Sequence, residues 1–167
     1  MRVYLIGYMA SGKTHFGMEL GAKTGFRFID TDGLFEERYR ISILDFFKKY
    51  SEESFRKIEK ELLLETLTYK DAIIATGGGT PCFFDNIDVI KRNGISIYLK
   101  MDLISLVNRL AIVRKKRPIL KDKTTSELES YVRTQIAERE LFYCQADFTV
   151  DAEKIKVDEI LNLIAGI

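Results

Sequence analysis

The sequence has little of several residue types that metal-binding and secreted proteins use. Its 167 residues include no tryptophan, one histidine and two prolines, and the two cysteines are Cys82 and Cys144. These cysteines are far apart and His15 is the single histidine, so the spacing of a zinc site is missing. Free thiols are typical of proteins in a reducing compartment, and we expect a cytoplasmic protein.

Long apolar runs and a strong net charge are also missing. No apolar run approaches the ~20 residues that a membrane-spanning helix needs, and no signal peptide precedes the first apolar segment. Lysine and arginine number 26 and aspartate and glutamate 25, which gives a net charge of +1. We therefore expect no membrane partner and no general nucleic-acid partner.

The remaining composition is that of a globular protein, with 46% hydrophobic and 31% charged residues. This length suits one domain over residues 1–167, which we expect to be a monomer. Short apolar segments, typical of buried parallel strands, alternate with helical patterns along the chain. These predicted strands lie at residues 3–6, 26–30, 72–76, 95–99 and 148–150. The alternation predicts an α/β fold with helices on both faces of a mainly parallel sheet, whose ligands bind at the carboxyl ends of the strands.

The first loop, residues 7–14, carries the strongest functional signal. Its sequence GYMASGKT matches the pattern Gly, four residues, Gly-Lys-Ser/Thr, and it lies between a predicted strand and a predicted helix. Backbone N–H groups of such a loop surround a phosphate, and the following helix offers a positive dipole end. This predicts a site for a nucleoside triphosphate built from Gly7, Ala10, Ser11, Gly12, Lys13 and Thr14. Lys13 reaches the β- and γ-phosphates, and the Thr14 hydroxyl holds Mg²⁺.

Two aspartates, Asp30 and Asp32, follow the second predicted strand directly. If the extended conformation continues, both side chains point to the same side. One carboxylate can then hold Mg²⁺, mostly through water, and the other can accept a hydrogen bond from a substrate hydroxyl and take its proton. A solvated turn is the alternative, because Asp-Thr-Asp-Gly is common turn chemistry.

Arg56 and Glu59 lie three residues apart on a long predicted helix and share a face. From spacing alone, a surface ion pair is the favoured interpretation. The alternative is an arginine that binds an anionic substrate, with Glu59 orienting it.

Three glycines, Gly77, Gly78 and Gly79, follow the third strand, and their cost in backbone entropy is explained if something approaches the backbone closely.

A basic run, residues 114–117, ends in Arg117-Pro118 between two predicted helices. A solvated patch is the plain interpretation. The functional interpretation is a mobile lid over the phosphates, whose arginine stabilises the transferred phosphoryl group.

We assign no chemistry to His15, and Cys82 is predicted to be a small apolar filler. Arg139 lies on the last long predicted helix, and nothing in the pattern around it indicates a function.

Six motifs together resemble the shikimate kinase family in order and spacing over nearly the whole chain. They are the loop at 7–14, Asp30-Thr31-Asp32, Phe55-Arg56-Lys57-Ile58-Glu59, Thr76-Gly77-Gly78-Gly79, Arg117-Pro118-Ile119-Leu120 and Arg139. The resemblance implies a three-layer α/β/α P-loop kinase with a five-stranded parallel sheet of order 2-3-1-4-5. It also implies substrate-binding helices at about residues 33–60 and a lid at about 112–124.

The resemblance further implies transfer of the γ-phosphoryl group of ATP to the 3-hydroxyl of shikimate, with Mg²⁺. Lys13, Asp32 and Arg117 would be catalytic, and Thr14 and Asp30 would serve Mg²⁺. Shikimate would be bound by Asp32, Arg56, Glu59, Gly77, Gly78, Gly79 and Arg139. Arginine suits the carboxylate of this substrate because its planar pairing is bidentate.

Several positions depart from the family pattern, among them Ile119, which replaces a leucine of similar volume. Ala10 stands where a glycine is usual, and a positive φ there would cost ~1 kcal/mol. Thr80-Pro81 replaces a small aliphatic pair, and Arg109 is offset by about one residue from the usual adenine-stacking arginine.

Three rival functions differ in their requirements. One is a nucleotide-binding partner module that has lost activity, and the joint presence of Lys13, Asp30, Asp32 and Arg117 speaks against it. Another small-metabolite kinase of this architecture, such as a gluconate kinase, is the nearest alternative. A GTP-binding switch needs an Asn-Lys-x-Asp motif, which the sequence lacks.

Overall fold

A computed structural model describes residues 1–113 and 124–166 of the chain. Its five strands form one parallel sheet in the order β2-β3-β1-β4-β5, flanked by helices, so the predicted fold and strand order are confirmed. The strands are β1 (Arg2–Ile6), β2 (Arg27–Asp30), β3 (Ala72–Ala75), β4 (Ile95–Lys100) and β5 (Phe148–Asp151).

The described helices alternate with these strands except for a run of three after β2 and two after β4. They are α1 (Lys13–Thr24), α2 (Thr31–Tyr39), α3 (Ile43–Lys49), α4 (Glu52–Glu65), α5 (Asn86–Asn93), α6 (Leu103–Val113), α7 (Thr125–Tyr143) and α8 (Val157–Ala165). Short 3₁₀ helices lie at Thr66–Thr68 and Thr80–Cys82. Helix α4 ends at Glu65, and just beyond it the buried Thr66 hydroxyl donates to the carbonyl of Leu63.

The central strand β1 is buried along most of its length. Val3, Tyr4, Leu5 and Ile6 have no exposed surface, as a parallel strand covered on both faces requires. A second, smaller core joins α2, α3 and α4 through Phe35, Phe46, Phe55 and Leu62. Burial of each such side chain stabilises the fold by roughly 1.5–3 kcal/mol. This aromatic cluster fixes the face of α4 that carries residues 56 and 59.

Local capping explains where two of the helices begin and end. The Ser42 hydroxyl accepts a hydrogen bond from the backbone N–H of Asp45 at 3.0 Å, which caps α3. Gly25 has φ 75° and donates its N–H to the carbonyl of Gly21, which ends α1. No helix within the described ranges is long and apolar enough to cross a membrane.

Candidate active site

The ends of β1, β2 and β3 meet at one edge of the sheet, as the sequence predicts. In the register, Ala75 of β3 pairs with Leu5 of β1 and with Asp30 of β2. Two cavities open there, one of about 780 Å³ and one of about 1110 Å³. Met9, Asp32 and Gly78 line both cavities, so the two spaces adjoin.

The phosphate loop lines the larger cavity, which we call the nucleotide cavity. Gly7 and Gly12 have φ values of 142° and 98°, which favour glycine, and a Cβ on Gly7 would stand 2.9 Å from the carbonyl oxygen of Leu99. The buried Lys13 donates from Nζ to the carbonyls of Gly7 and Tyr8, both at 2.8 Å. The lysine is thus held over the loop where a phosphate would lie.

Ala10 adopts the left-handed conformation, with φ 66°. A Cβ in this region costs roughly 1 kcal/mol, so the loop carries local strain where the family pattern has glycine. The carbonyl of Ala10 accepts a hydrogen bond from Nη1 of Arg109 at 3.2 Å. Arg109 is therefore anchored to the outside of the loop, and its contact with adenine stays a prediction.

The predicted side-by-side extension of Asp30 and Asp32 is wrong, because α2 begins at Thr31. Asp30 caps this helix, and its Oδ1 accepts from the N–H groups of Asp32 at 3.1 Å and Gly33 at 3.3 Å. Its Oδ2 accepts from the Thr14 hydroxyl at 2.8 Å. The two residues predicted to serve Mg²⁺ are therefore in direct contact, while Asp32 projects from the first turn of α2 between the two cavities.

The favoured interpretation of Arg56 and Glu59 as a surface ion pair is also wrong. Arg56 is 8% exposed and Glu59 is 4% exposed, and Nη1 donates to Oε2 at 2.8 Å. Nη2 of Arg56 donates to Oε1 of Glu52 at 2.9 Å. Both members of the pair line the smaller cavity, which we call the acceptor cavity. Loss of one partner of such a buried pair typically costs 3–5 kcal/mol.

The glycine run makes room for these charged side chains. A Cβ on Gly77 would stand 2.7 Å from both Asp32 Oδ1 and Glu59 Oε1, and one on Gly79 would stand 2.5 Å from Arg56 Nη1. Gly78 has backbone of the phosphate loop beside it, with the Met9 nitrogen 3.3 Å from an added Cβ. The sequence predicts that something approaches the backbone of this glycine run closely, and in the structure side chains and backbone of the protein itself do so.

Arg139 of α7 lies on the acceptor cavity, where the sequence alone gave no signal for it. It is partly buried, its guanidinium carbon lies 5.5 Å from the centre of the Tyr8 ring, and Nη2 donates to Gln135 Oε1 at 2.5 Å. Tyr143, one turn on, donates its hydroxyl to the carbonyl of Gly78. Two arginines from distant helices thus serve one cavity.

Cys82 also lines the acceptor cavity, and burial raises the pKa of its thiol to about 11. A thiol with this pKa is protonated at neutral pH, which agrees with the prediction that it is no nucleophile. His15 is exposed on α1, with Nε2 3.7 Å from Oε1 of Glu19, and it lines the nucleotide cavity.

The sequence did not predict one aromatic contact and one hydrogen bond to the buried pair Arg56–Glu59. The Phe83 ring lies against Arg56, and the Thr80 hydroxyl donates to Glu59. Thr80 was visible in the sequence only as a departure from the family pattern. Arg117 and residues 114–123 of the predicted lid lie outside the described residues.

Comparison with known proteins agrees with this geometry. The family model for shikimate kinase matches residues 9–165. A shikimate kinase of Parabacteroides distasonis is 41% identical over 165 residues, which are 99% of this chain and 95% of that protein.

Two solved structures extend the comparison to the fold. A shikimate kinase from Bacteroides thetaiotaomicron has a TM-score of 0.94 at 32% identity, covering 99% of this chain and 98% of that one. A shikimate kinase from Acinetobacter baumannii, solved in complex with shikimate, has a TM-score of 0.89 at 30% identity, covering 99% and 93%. The family match over most of the length, the close relative and the shared fold together show that this chain belongs to the shikimate kinase family.

Proposed function

We propose that this chain transfers the γ-phosphoryl group of ATP to the 3-hydroxyl of shikimate, giving shikimate 3-phosphate and ADP. One observation carries the proposal: a cavity with two arginines adjoins the phosphate-loop cavity, and Asp32 stands between them. The chain's membership of the shikimate kinase family supports the same acceptor.

The acceptor cavity suits a small carboxylate that also carries hydroxyl groups. Arg56 and Arg139 supply planar donor groups for the carboxylate, and pairing of this kind is bidentate. Glu59 holds the Arg56 guanidinium in place from within the protein. The backbone N–H groups of Gly78 and Gly79 lie beside the same space and would donate to ring hydroxyls.

Transfer would proceed by direct attack, without a covalent enzyme intermediate. The acceptor oxygen attacks the γ-phosphorus, the bond to the β,γ-bridging oxygen breaks, and Asp32 takes the hydroxyl proton as the new bond forms. Lys13, which the carbonyls of Gly7 and Tyr8 hold at the loop, would contact the phosphate oxygens. Arg117 is assigned to the γ-phosphoryl group from its sequence motif.

Thr14 and Asp30 fit a magnesium site that keeps most of its water ligands. Their side-chain oxygens are 2.8 Å apart, and a hydroxyl with a carboxylate is the donor chemistry that Mg²⁺ prefers. The ion supplies neutralisation of phosphate charge when bound. Asp30 is held for this role because its other oxygen caps α2.

The cellular setting is part of the same proposal. It includes a monomeric enzyme formed by a single domain. Both cysteines are free thiols, which fits the cytoplasm.

A coupled assay of ADP release tests the function. Shikimate is compared with gluconate, nucleoside monophosphates and water as acceptor, and shikimate-dependent turnover is the expected result. Turnover on gluconate and none on shikimate would overturn the assignment in favour of the nearest rival.

Calorimetric titration of two arginine variants tests the assignment of the carboxylate site. Arg56→Ala should abolish shikimate binding and leave ATP binding nearly intact. Arg133→Ala is the matched control, because this arginine on α7 is exposed and pairs with Glu129. An equal loss of ATP affinity in Arg56→Ala would contradict the role.

A further inference from the structure

We infer that a short segment, Thr80–Phe83, positions the buried Arg56–Glu59 pair for the acceptor's carboxylate. Thr80 acts through its hydroxyl on Glu59, and Phe83 acts through its ring on Arg56. The inference deepens the function proposed above and rests on it. Thr80 is a positioning residue, since it contacts Glu59 and not the cavity.

Thr80 is fully buried, and its hydroxyl donates to Oε1 of Glu59 at 2.6 Å. A hydroxyl that donates to a carboxylate makes a short hydrogen bond of the charge-assisted kind. The backbone of Thr80 is itself held on both sides. Its N–H donates to the carbonyl of Gly77 at 3.1 Å, and its carbonyl accepts from Nδ2 of the buried Asn86 at 2.8 Å. The hydroxyl is thus aimed by a rigid frame.

The two oxygens of Glu59 have different partners. Oε2 accepts from Arg56 and Oε1 accepts from Thr80, so the carboxylate cannot turn without breaking one of these bonds. Removal of the hydroxyl leaves a buried carboxylate oxygen without this donor, which is costly, and frees the group to rotate. Arg56 then loses the fixed geometry that a planar bidentate contact requires.

Phe83 controls the plane of the same guanidinium. Its ring centre lies 4.0 Å from the Arg56 guanidinium carbon, closer than the ring of Phe55 at 5.2 Å. Stacking of this kind leaves the N–H groups free to donate in the plane of the guanidinium. Phe83 also lines the acceptor cavity, whereas Thr80 does not.

The residues that follow Phe83 help to hold the segment Thr80–Phe83 in position. Phe84 has φ 54°, a left-handed conformation that is uncommon for a bulky residue. Its exposed ring lies 5.2 Å from Nζ of Lys60, and Lys60 also pairs with Asp85 at 2.5 Å. These contacts tie the segment to α4, the helix that carries Arg56 and Glu59.

Thr80→Val removes the hydroxyl while keeping the shape of the side chain. We expect KM for shikimate, and its Kd by calorimetry, to rise about tenfold, which is ~1.4 kcal/mol. KM for ATP should stay within about twofold, as the nucleotide cavity is not touched, and Thr80→Ser should restore shikimate binding because it restores the donor.

A matched control separates positioning from stability. Thr66 is equally buried, and its hydroxyl donates to the carbonyl of Leu63 and lies 3.1 Å from the Tyr4 hydroxyl. Thr66→Val should lower the melting temperature without changing KM for shikimate. For the aromatic contact, Phe83→Leu should raise KM for shikimate several-fold, whereas Tyr50→Leu, at an exposed ring that lines neither cavity, should not.

The outcomes distinguish this inference from the function on which it rests. If the unmodified protein fails to phosphorylate shikimate, the proposed function is wrong. If that protein is active but Thr80→Val keeps its KM for shikimate, the positioning role is wrong. An equal rise in KM for ATP and shikimate, or a failure of Thr80→Ser to restore binding, would overturn it in the same way.

Discussion

The guanidinium of Arg56 lies directly against the backbone of Gly79. A Cβ built on that glycine would stand 2.5 Å from Nη1 and 2.7 Å from Nη2. Gly79 has φ −91°, so an alanine there is permitted by its backbone and excluded only by the arginine. We predict that Gly79→Ala displaces Arg56 and lowers shikimate affinity by about tenfold or more, as one lost charged contact implies.

Titration calorimetry with shikimate and with ATP checks this prediction. Gly166→Ala is the control, because an added Cβ there would meet the carbonyl oxygens of Asn162 and Leu163 at an ordinary 3.5 and 3.8 Å, and Gly166 lines neither cavity. This control should bind both ligands with unchanged affinity. Shikimate binding that survives in Gly79→Ala would show that Arg56 is not held by this contact.

The strain at Ala10 predicts an order of stability for three residues at this position. Ala10→Gly relieves roughly 1 kcal/mol of left-handed strain and loses about 0.5 kcal/mol through the entropy of glycine. A net gain of about 0.5 kcal/mol should appear in urea unfolding without ligand. Ala10→Val should be less stable than the unmodified protein by ~1 kcal/mol or more, because β-branching adds to the strain. A glycine variant less stable than the unmodified protein would contradict the explanation.

The thiol of Cys82 should react slowly and with a steep dependence on pH. Burial raises its pKa from 9.0 to about 11, so the reactive thiolate is about one part in ten thousand at pH 7. Each pH unit below 11 should therefore raise the rate about tenfold. Mass spectrometry of iodoacetamide labelling measures this, with the exposed Cys144 as internal reference.

Shikimate should slow the labelling of Cys82 further, because this residue lines the acceptor cavity. The rate at Cys144 should not respond to shikimate. A labelling rate at Cys82 that levels off near pH 9 would show that burial does not control the thiol.

Substitution of Lys13 should lower turnover but leave the affinity for the acceptor nearly unchanged. Lys13→Met removes the ammonium that the carbonyls of Gly7 and Tyr8 hold in place, and with it a charge for the phosphates. Turnover should fall by at least about a hundredfold, the scale of losing one positioned charge. Shikimate binding, measured without nucleotide, should change little. Loss of both would indicate that the substitution disturbs the whole sheet edge.

The sequence predicts the parts of this structure that depend on local patterns. Apolar strands followed by glycine or aspartate marked the edge where the cavities open. The strand order itself came from resemblance to a family, because alternation alone permits several orders.

The failures of prediction have tertiary causes. The Asp30 carboxylate accepts hydrogen bonds from the first free N–H groups of α2, so the helix begins directly after it. The extended conformation on which the prediction for the aspartate pair depended therefore stops at Asp30. Arg56 and Glu59 are buried because the aromatic cluster around Phe55 presses α4 against the glycine run. Spacing along one helix cannot reveal contacts of either kind.

The register of β1 has a consequence for how the chain acquires its ligand affinity. Val3 pairs with Ile73 on one side and with Ile95 on the other, so the strand before the phosphate loop is secured only by distant parts of the chain. Such non-local parallel pairing forms late and cooperatively during folding. A partly synthesised chain that ends before β4 therefore holds the entire phosphate-loop sequence but has no formed pocket in which to retain ATP.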